Sequence, residues 1–373
     1  MPEISVNIPA FNAGKYIEQC LNSILVSQED LEILVLDDGS TDDTASIVQS
    51  VSLRDLRVKL LQFDNQQGVA AGRQKLLENS TGKYILPFDA DDIMLPGWIP
   101  KAKGYLDENP HIEVVYGKCR FMSNDGLPLE KTIGSTYSRI NCYVCHPVPQ
   151  GSVLAKKELF LKVGGYMKTS ESGKCVMEDF FTWCRMMLHS KMVFIDSFAF
   201  LYRDHEQQMT KKTHLFKDAM TFIQEYLINQ NKELTNSLLA GTATVPNSQL
   251  DKNTAIFVIG ALIKSLKMPT DRVKYLLDLA EQIDPNDYGV YVKRYEFFKA
   301  IGRDRAAIGA AKALINFEGE DYYPRMMGHF LMTNYYQSIR DRENFDIHER
   351  EYTKYFKAYT DLEKDLALEE ALV

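Results

Sequence analysis

Apolar runs alternate with amphipathic stretches over the first hundred residues. The runs are typical of short buried strands, and they lie at residues 4–8, 33–36, 58–61 and 83–88. After the first run, apolar residues recur on one helical face at positions 17, 20, 21, 24 and 25. Two further helices are predicted, one from Ser40, whose spacing to Asp43 fits a capping box, and one over residues 68–79. This alternation indicates right-handed βαβ units and a mostly parallel sheet.

Polar motifs follow three of these runs. They are Pro9-Ala10-Phe11-Asn12, Asp37-Asp38-Gly39-Ser40 and Phe88-Asp89-Ala90-Asp91-Asp92. Ligands of parallel sheets bind beyond the carboxyl ends of the strands, so the three motifs are expected at one edge. Three carboxylates within four positions suit a hard divalent cation whose coordination is completed by substrate phosphates. The competing interpretation of the acidic triplet is a polar turn that caps the next helix.

The order and spacing of these and four later motifs resemble the family 2 glycosyltransferases, which use nucleotide sugars and have the GT-A fold. The later motifs are Gly68-Val69-Ala70-Ala71-Gly72-Arg73, Val163-Gly164-Gly165-Tyr166, Glu178-Asp179 and Tyr202-Arg203-Asp204-His205. One departure is Gly72-Arg73-Gln74, where the family usually shows Ala-Arg-Asn. The resemblance covers about residues 3–210. It implies an α/β fold in which a GT-A domain with a Rossmann-like, mostly parallel sheet spans residues 1–214.

The resemblance also implies a donor site for a nucleoside diphosphate sugar, most often a UDP-sugar. The donor-binding residues would be Pro9, Ala10, Phe11, Asn12, Asp38, Arg73, Asp89, Asp91 and Asp92. Pro9 and Phe11 would line the base pocket, and Asp38 would accept a hydrogen bond from the nucleobase edge. Arg73 would lie near the diphosphate and Asp89 near the ribose.

The same resemblance implies Mn²⁺ or Mg²⁺ as the cofactor. Asp91 would bind the ion, His205 would reach it from a loop that closes over the diphosphate, and Asp92 would support or replace Asp91. The ion would neutralise charge on the departing nucleoside diphosphate. The residues by themselves leave open helix capping for Asp38, a solvated cation for Arg73 and a structural role for His205.

Glu178 and Asp179 precede an apolar helical run, and the resemblance places them on the acceptor side. Asp179 would be the general base that takes the proton of the acceptor hydroxyl as it attacks the anomeric carbon from behind, which inverts the configuration. Glu178, Gly164 and Gly165 are the other acceptor-side candidates. The acceptor would be a carbohydrate, lipid-linked or other glycan, as in polysaccharide or glycoconjugate biosynthesis. An acid pair at a helix start could also serve only to stabilise the helix dipole.

Two other functions stay open at this stage. The acidic motif is similar to the Asp-x-Asp-x-Thr nucleophile motif of haloacid-dehalogenase-type phosphohydrolases, but Ile93 replaces the threonine and three strand–helix units precede the motif. The chain could also be a catalytically idle protein that binds nucleotide sugars and uses its helices to bind a partner. The presence of Asp91, Asp179 and His205 argues against an idle site.

Composition adds limits on location and partners. Hydrophobic content of 45% and charged content of 25% in 373 residues are typical of globular proteins. The net charge of −8 argues against nucleic acid as a partner. The longest apolar run, residues 255–263, is short for a membrane span, and six cysteines without a disulfide-like framework fit a reducing cytoplasm. We therefore expect a cytoplasmic protein without a transmembrane segment, and peripheral membrane contact stays open.

The pattern becomes helical from about Leu215, which predicts an all-helical C-terminal domain over residues 215–373. Apolar positions 273, 276, 277, 280 and 283 form one stripe, and Thr270 is placed to cap that helix. Residues 280–287 are similar to the end of a tetratricopeptide repeat. The Asn-, Thr- and Ser-rich residues 229–253 are expected to contain the linker. The tyrosine-rich tail is interpreted first as helix packing, and second as a surface that holds the acceptor or forms a homo-oligomer.

Overall fold

The computed structural model describes residues 2–140, 147–167, 177–206, 208, 213–265, 267–318 and 322–360. Within these residues the chain forms two compact units. The first comprises described residues up to 135 and from 147 to 223, and the second comprises 136–140 and those from 224 to 360. The contacts of the chain divide between residues 223 and 224. The domain boundary expected between 214 and 215 stays a prediction.

The first unit alternates strands and helices. Its strands are β1 (Ile4–Ala10), β2 (Leu31–Asp37), β3 (Val58–Gln62), β4 (Tyr84–Pro87), β5 (Ile93–Met94), β6 (Val114–Met122), β7 (Pro128–Ile133), β8 (Leu154–Lys156) and β9 (Met192–Arg203). Its helices are α1 (Ile17–Leu25), α2 (Thr44–Arg54), α3 (Val69–Asn79), α4 (Trp98–Glu108), α5 (Lys157–Lys162) and α6 (Glu178–His189), with a 3-10 turn, η1, at Gln150–Ser152. The division between the units at 223 and 224 falls within α7 (Thr213–Gln230). The four strands and three helices predicted in the first hundred residues are confirmed.

One sheet runs through the first unit in the order β3-β2-β1-β4-β8-β6-β9-β5, and β7 pairs with β6. The β3-β2-β1-β4 half is parallel, as predicted, and β6 and β9 are also parallel. β8, β5 and β7 pair antiparallel to their neighbours. Because Ala10 pairs with Asp37 and Asn7 with Pro87, the motifs that follow β1, β2 and β4 leave the sheet at the same edge.

Strands β1, β2 and β4 are buried along almost their whole length. This burial explains why they appear as continuous apolar runs rather than alternating ones, since helices cover both faces of a parallel sheet. Each fully buried Val, Leu or Ile contributes about 1.5–3 kcal/mol relative to an exposed one. The rigid strands therefore present the polar motifs at their ends in a fixed arrangement.

The capping box predicted at Ser40 and Asp43 is wrong. Helix α2 begins at Thr44, and the Asp43 side chain makes no capping hydrogen bond. The Ser40 hydroxyl instead accepts a hydrogen bond from the backbone N–H of Asn12 at 2.9 Å. The start of α2 is held by Asp42, which accepts from the backbone N–H of Thr44 at 3.0 Å and from that of Gly14 at 2.9 Å.

The second unit is helical, which confirms the predicted helical region. It continues from α7 with α8 (Lys232–Ala240), α9 (Gln249–Ser265), α10 (Thr270–Ile283), α11 (Tyr288–Ala300), α12 (Asp304–Ile315), α13 (Tyr323–Ser338) and α14 (Arg342–Thr360). Two details differ from expectation: α8 occupies much of the expected linker, and Thr270 begins α10 without a side-chain cap. The tetratricopeptide likeness stays a prediction. No helix in the described part of the chain is both long and apolar enough to cross a membrane.

Candidate active site

The motif after β1 is braced against the turn after β2. Asn12 has a left-handed backbone with φ of 50°, and its side-chain oxygen accepts from the backbone N–H of Thr41 at 2.9 Å. Ala10 is buried, whereas Phe11 is 44% exposed. Pro9 lies under α3, where a Cβ at Gly72 would stand 3.5 Å from the Pro9 Cβ. The side-chain oxygen and backbone N–H of Asn12 are thus bonded within the protein, and Phe11 leaves an apolar ring open at the edge of the sheet.

Asp38 holds the start of α3 rather than its own turn. Its two oxygens accept from the backbone N–H groups of Gln67 at 2.7 Å and Gly68 at 2.9 Å. Asp37 closes the turn by accepting from the backbone N–H of Ser40 at 3.1 Å. Each carboxylate oxygen can accept a second hydrogen bond, so contact between Asp38 and a nucleobase stays a prediction.

The acidic motif after β4 divides into open and buried carboxyls. The side chains of Asp89 and Asp91 are 33% and 26% exposed, whereas Asp92 is 1% exposed. Asp92 Oδ1 accepts from the backbone N–H of Arg203 at 2.9 Å, and its Oδ2 has no partner in the described part of the chain. Burial raises the pKa of Asp92 well above its usual range, and Asp91 and Asp89 add to the rise. Asp92 therefore supports the turn from inside, and Asp89 and Asp91 face outward.

His205 meets Asp91 from the far end of β9. Its Nε2 lies 2.8 Å from Asp91 Oδ2, and its ring lies 5.4 Å from the ring of Tyr16. Arg203, two residues earlier, fixes the backbone on both sides by donating to the carbonyls of Asp91 at 2.8 Å and Asn124 at 2.9 Å. Residues about 110 positions apart in the chain thus form one carboxylate–imidazole pair.

This pair suits a divalent cation that accepts oxygen and nitrogen ligands, such as Mn²⁺. The described residues contain no group of three or more His, Cys, Asp or Glu side chains placed to hold a metal ion. Asp91 and His205 would therefore supply two ligands, and phosphate oxygens and water would complete the coordination, as is usual for metals bound together with substrate phosphates. The residues fit a metal that arrives with a phosphorylated ligand.

Arg73 is buried in α3 and links two acids from different elements. Its Nη2 lies 2.7 Å from Asp89 Oδ1, and its Nε lies 3.0 Å from Glu178 Oε1. Burial raises the pKa of Glu178 to about 7, and Asp179 adds to the rise while Arg73 opposes it. The guanidinium thus offsets a cluster of acids whose mutual repulsion would otherwise destabilise this end of the sheet. A role of Arg73 at a diphosphate stays a prediction.

Asp179 lies in the first turn of α6 and is only partly buried. Its Oδ1 accepts from the backbone N–H of Phe180 at 2.7 Å. Met177, directly before the helix, has φ of 61°, a left-handed conformation that is uncommon for a residue with a side chain. Burial raises the pKa of the Asp179 carboxyl, and Arg73 opposes the rise. Asp179 is the more accessible member of the acid pair, because Glu178 is 5% exposed and bound to Arg73.

The Gly164-Gly165 turn packs against α3. Both glycines have left-handed backbones, with φ of 82° and 67°. Gln74 accepts from the backbone N–H of Tyr166 at 2.9 Å, and Arg185 donates to the carbonyl of Gly165 at 2.6 Å. Gln74, the departure from the family pattern, thus has a structural task in holding the turn. The turn lies beside the acid pair without placing a side chain of its own in the site.

Sequence reasoning missed one residue of the site. Gln150, in η1, lies between Arg73 and Asp179 and is 7% exposed. The neighbouring residues in the sequence give no sign of a catalytic or binding role, because Gln150 is a single glutamine between Pro149 and Gly151. Only the packing of η1 against β4, β6 and β9 brings it to the site.

Comparison with known proteins finds glycosyltransferases. Residues 5–160 match the family model described as glycosyl transferase family 2. An uncharacterized glycosyltransferase of Haemophilus influenzae is 40% identical over 112 residues, which is 30% of this chain and 35% of that protein. Glycosyltransferase GlyG of Streptococcus pneumoniae is 25% identical over 254 residues, 64% of this chain and 81% of that one. Several curated relatives are matched over only about a third to a half of their length.

Solved structures show the same fold. TarS residues 1–349 of S. aureus, in complex with UDP-GlcNAc, superposes with a TM-score of 0.52 at 17% identity, covering 85% of this chain and 93% of that one. At this identity the likeness bears on the fold alone. Residues 5–160, carried by a GT-A-like α/β unit that a helical region follows, are thus similar to glycosyl transferase family 2.

Proposed function

We propose that the protein is a metal-dependent, inverting glycosyltransferase that moves a sugar from a nucleoside diphosphate sugar to an acceptor hydroxyl. The observation that carries the proposal is that two groups of side chains lie at one edge of the sheet. The first is Asp91 with His205, and the second is Arg73 with the acids Asp89, Glu178 and Asp179. A UDP-sugar is the first candidate donor, since the structural relative TarS was solved with UDP-GlcNAc.

The donor would lie along the edge where β1, β2 and β4 end. The exposed ring of Phe11 offers a face for a base, and Asp38 has remaining acceptor capacity beside it. The Asp89 carboxylate is 33% exposed and only its Oδ1 is held by Arg73, which leaves Oδ2 suited to contact with a ribose hydroxyl. Asp91 and His205 would hold Mn²⁺ or Mg²⁺ at the diphosphate, where the ion supplies Lewis-acid stabilisation of the leaving group.

The acceptor would approach Asp179. Asp179 is preferred over Glu178 as the base because it is the more exposed, while Glu178 is bound to the Arg73 guanidinium. The burial-raised pKa of Asp179 makes it a stronger base than an exposed aspartate, which favours removal of a hydroxyl proton. Attack from the side of Asp179, opposite the leaving diphosphate, inverts the anomeric configuration.

Ligand-linked stabilisation tests the donor assignment. Thermal unfolding would be measured with UDP, GDP and CDP and their common sugar conjugates, each with and without MnCl₂. We expect one nucleotide series to raise the unfolding temperature only with metal, and the rise to grow with the logarithm of ligand concentration. A flat response to every nucleotide with metal present would contradict the proposal.

Product analysis tests the stereochemistry. Once a donor and an acceptor glycan are found, NMR of the initial product reports its anomeric configuration. An α-linked donor should give a β-linked product. Retention of the donor configuration would refute the inverting mechanism, even if transfer occurs. Release of inorganic phosphate from phosphate monoesters, without sugar transfer, would instead support the phosphohydrolase alternative.

A further inference from the structure

Gln150 connects the two halves of the candidate site. Its side-chain amide faces the Asp179 carboxylate on one side and the Arg73 guanidinium on the other. A carboxylate only accepts hydrogen bonds and a guanidinium only donates them, so the nitrogen of the amide belongs toward Asp179 and the oxygen toward Arg73. In this orientation the amide nitrogen donates to Asp179 Oδ2 at 3.2 Å. The amide oxygen accepts from Arg73 Nη2 at 2.7 Å, from Nε at 3.1 Å and, closer still, from Nη1.

The backbone that carries Gln150 is firmly held. It begins a 3-10 turn in which the Ser152 hydroxyl donates to the carbonyl of Pro149 at 2.6 Å. A Cβ at Gly151 would stand 3.0 Å from the Phe88 ring, so the turn is pressed against the residue that precedes the acidic motif. The amide is therefore delivered from a rigid support at the end of β4, and it is buried.

With Gln150 included, both oxygens of Asp179 have a donor. Oδ1 accepts from the backbone of Phe180 and Oδ2 from the Gln150 amide. Two donors on two oxygens fix the plane of a carboxylate and favour its ionised form. Arg73 in turn joins the amide to Asp89, so a continuous set of contacts runs from the acidic motif to Asp179.

We propose that Gln150 is a positioning residue for sugar transfer: its amide orients the Asp179 carboxylate and couples it to the Arg73–Asp89 pair, so that the base keeps a fixed place relative to the donor. This inference rests on the proposed function. Gln150 does not bind the donor, and it acts on the reaction only through Asp179 and Arg73.

Two substitutions separate positioning from simple packing. Gln150→Met keeps the length of the side chain and removes both polar functions, whereas Gln150→Glu keeps the shape and the acceptor for Arg73 but replaces the donor toward Asp179 by a second acid. If Gln150 only fills space and pairs with Arg73, Gln150→Glu should behave as wild type. If it positions Asp179, Gln150→Glu should be the worse variant, because two facing carboxylates share a proton and the base is neutralised.

We expect Gln150→Met to lower kcat about 10-fold and Gln150→Glu about 100-fold or more, approaching the span for losing a general base. The donor KM should stay within about 3-fold of wild type. The acid limb of the kcat/KM profile should move to higher pH in both variants, since the Asp179 carboxylate loses a hydrogen bond that favours its charged form. Gln224→Met, which removes a buried glutamine amide in the second unit, is the control and should leave the pH profile unchanged.

The outcomes distinguish a failure of the role of Gln150 from a failure of the proposed function. A wild-type protein that transfers sugar, together with Gln150→Glu and Gln150→Met variants that keep its kcat and pH profile, would overturn the role of Gln150 alone. Calorimetry with UDP and Mn²⁺ measures the donor affinity of Gln150→Glu. If donor affinity falls as much as kcat, Gln150 has a general structural role and the positioning role is overturned. A wild-type protein that transfers no sugar from any donor would refute the proposed function itself.

Discussion

Titratable side chains gather at two places, the acidic edge of the sheet and the pair of histidines His329 and His348 in the second unit. The two places differ in how these side chains are hydrogen-bonded. At the acidic edge, Asp92 is buried with an unpartnered oxygen and Glu178 has its pKa raised to about 7. In the second unit, Nδ1 of His329 lies 2.9 Å from Nδ1 of His348, which requires one ring to donate and the other to accept. The first arrangement brings several acids close together around one guanidinium, and the second joins two rings by one hydrogen bond.

The surroundings of the two clusters reinforce the difference. His329 is stacked on Tyr355 with ring centroids 5.8 Å apart, and His348 on Tyr336 at 5.5 Å. Burial lowers the pKa of both histidines, which favours the neutral rings that stack. The acidic edge instead leaves Asp89 and Asp91 partly open to solvent. Acids with raised pKa values beside partly exposed carboxylates are typical of a binding or catalytic site, whereas stacked rings that share a hydrogen bond are typical of packing.

Replacing Asp91 gives the largest expected effect and tests whether the open acids are functional. Asp91→Asn should abolish metal-dependent nucleotide binding and turnover, because it removes one of the two proposed protein ligands while keeping the shape of the turn. Calorimetric titration of UDP with Mn²⁺ measures the first, and circular dichroism checks the fold. Asp271→Asn, an exposed acid of α10, is the control and should bind normally. Unchanged metal-dependent affinity in Asp91→Asn would remove Asp91 from the site.

Replacing Asp179 tests the acid pair. Asp179→Asn keeps the side-chain shape but removes the basic oxygen, so transfer should fall by about two to four orders of magnitude, the usual span for a general base. Donor affinity should stay near that of wild type. Steady-state kinetics with saturating acceptor measure the loss. A normal transfer rate in this variant would assign the acid pair to helix stabilisation alone.

The pH dependence of stability tests the raised pKa of Glu178 at the acidic edge. Its folded-state pKa of about 7 lies above its unfolded value, so its contribution is present at low pH and is lost as pH rises toward 7. The variant Glu178→Gln has no carboxyl to titrate at this position. Between pH 4.5 and 7.5 its free energy of unfolding should therefore fall by about 1–3 kcal/mol less than that of the wild type, at about 1.4 kcal/mol per pKa unit. Urea unfolding at several pH values measures the slope. Parallel slopes for the two proteins would contradict the assignment.

The histidine pair should make stability change with pH in the opposite direction, and this change should be the smallest of the predicted effects. Its lowered pKa values mean that stability is present above about pH 6.5 and is lost as pH falls, because the unfolded histidines take up protons first. Lys312, Glu351 and Lys354 also act on these rings. His329→Phe should flatten the fall between pH 7 and 5 by about 1 kcal/mol. His111→Phe, at an exposed position, should keep it, and a fall that is equally steep in His329→Phe would assign it to other groups.

Much of the first unit could be predicted from local patterns. Strands β1 to β4 and helices α1 and α3 follow from apolar runs and helical spacing, since burial imposes those periods on neighbouring residues. The open acids Asp89 and Asp91 could be located because they follow a strand directly. The capping box at Ser40 could not be judged locally, because a backbone N–H from Asn12, 28 positions away, competes for its hydroxyl.

The sequence by itself therefore determined the βαβ order, the helical region that follows it, and the motifs that resemble glycosyl transferase family 2. The resemblance already brought Asp91 and His205 together. Only the tertiary structure decided that Glu178 pairs with Arg73 and that Gln150 lies between Arg73 and Asp179. The physical reason is that secondary structure depends on residues within one or two turns of each other. Hydrogen bonds between side chains from separate elements depend instead on how the whole sheet and its connecting turns pack.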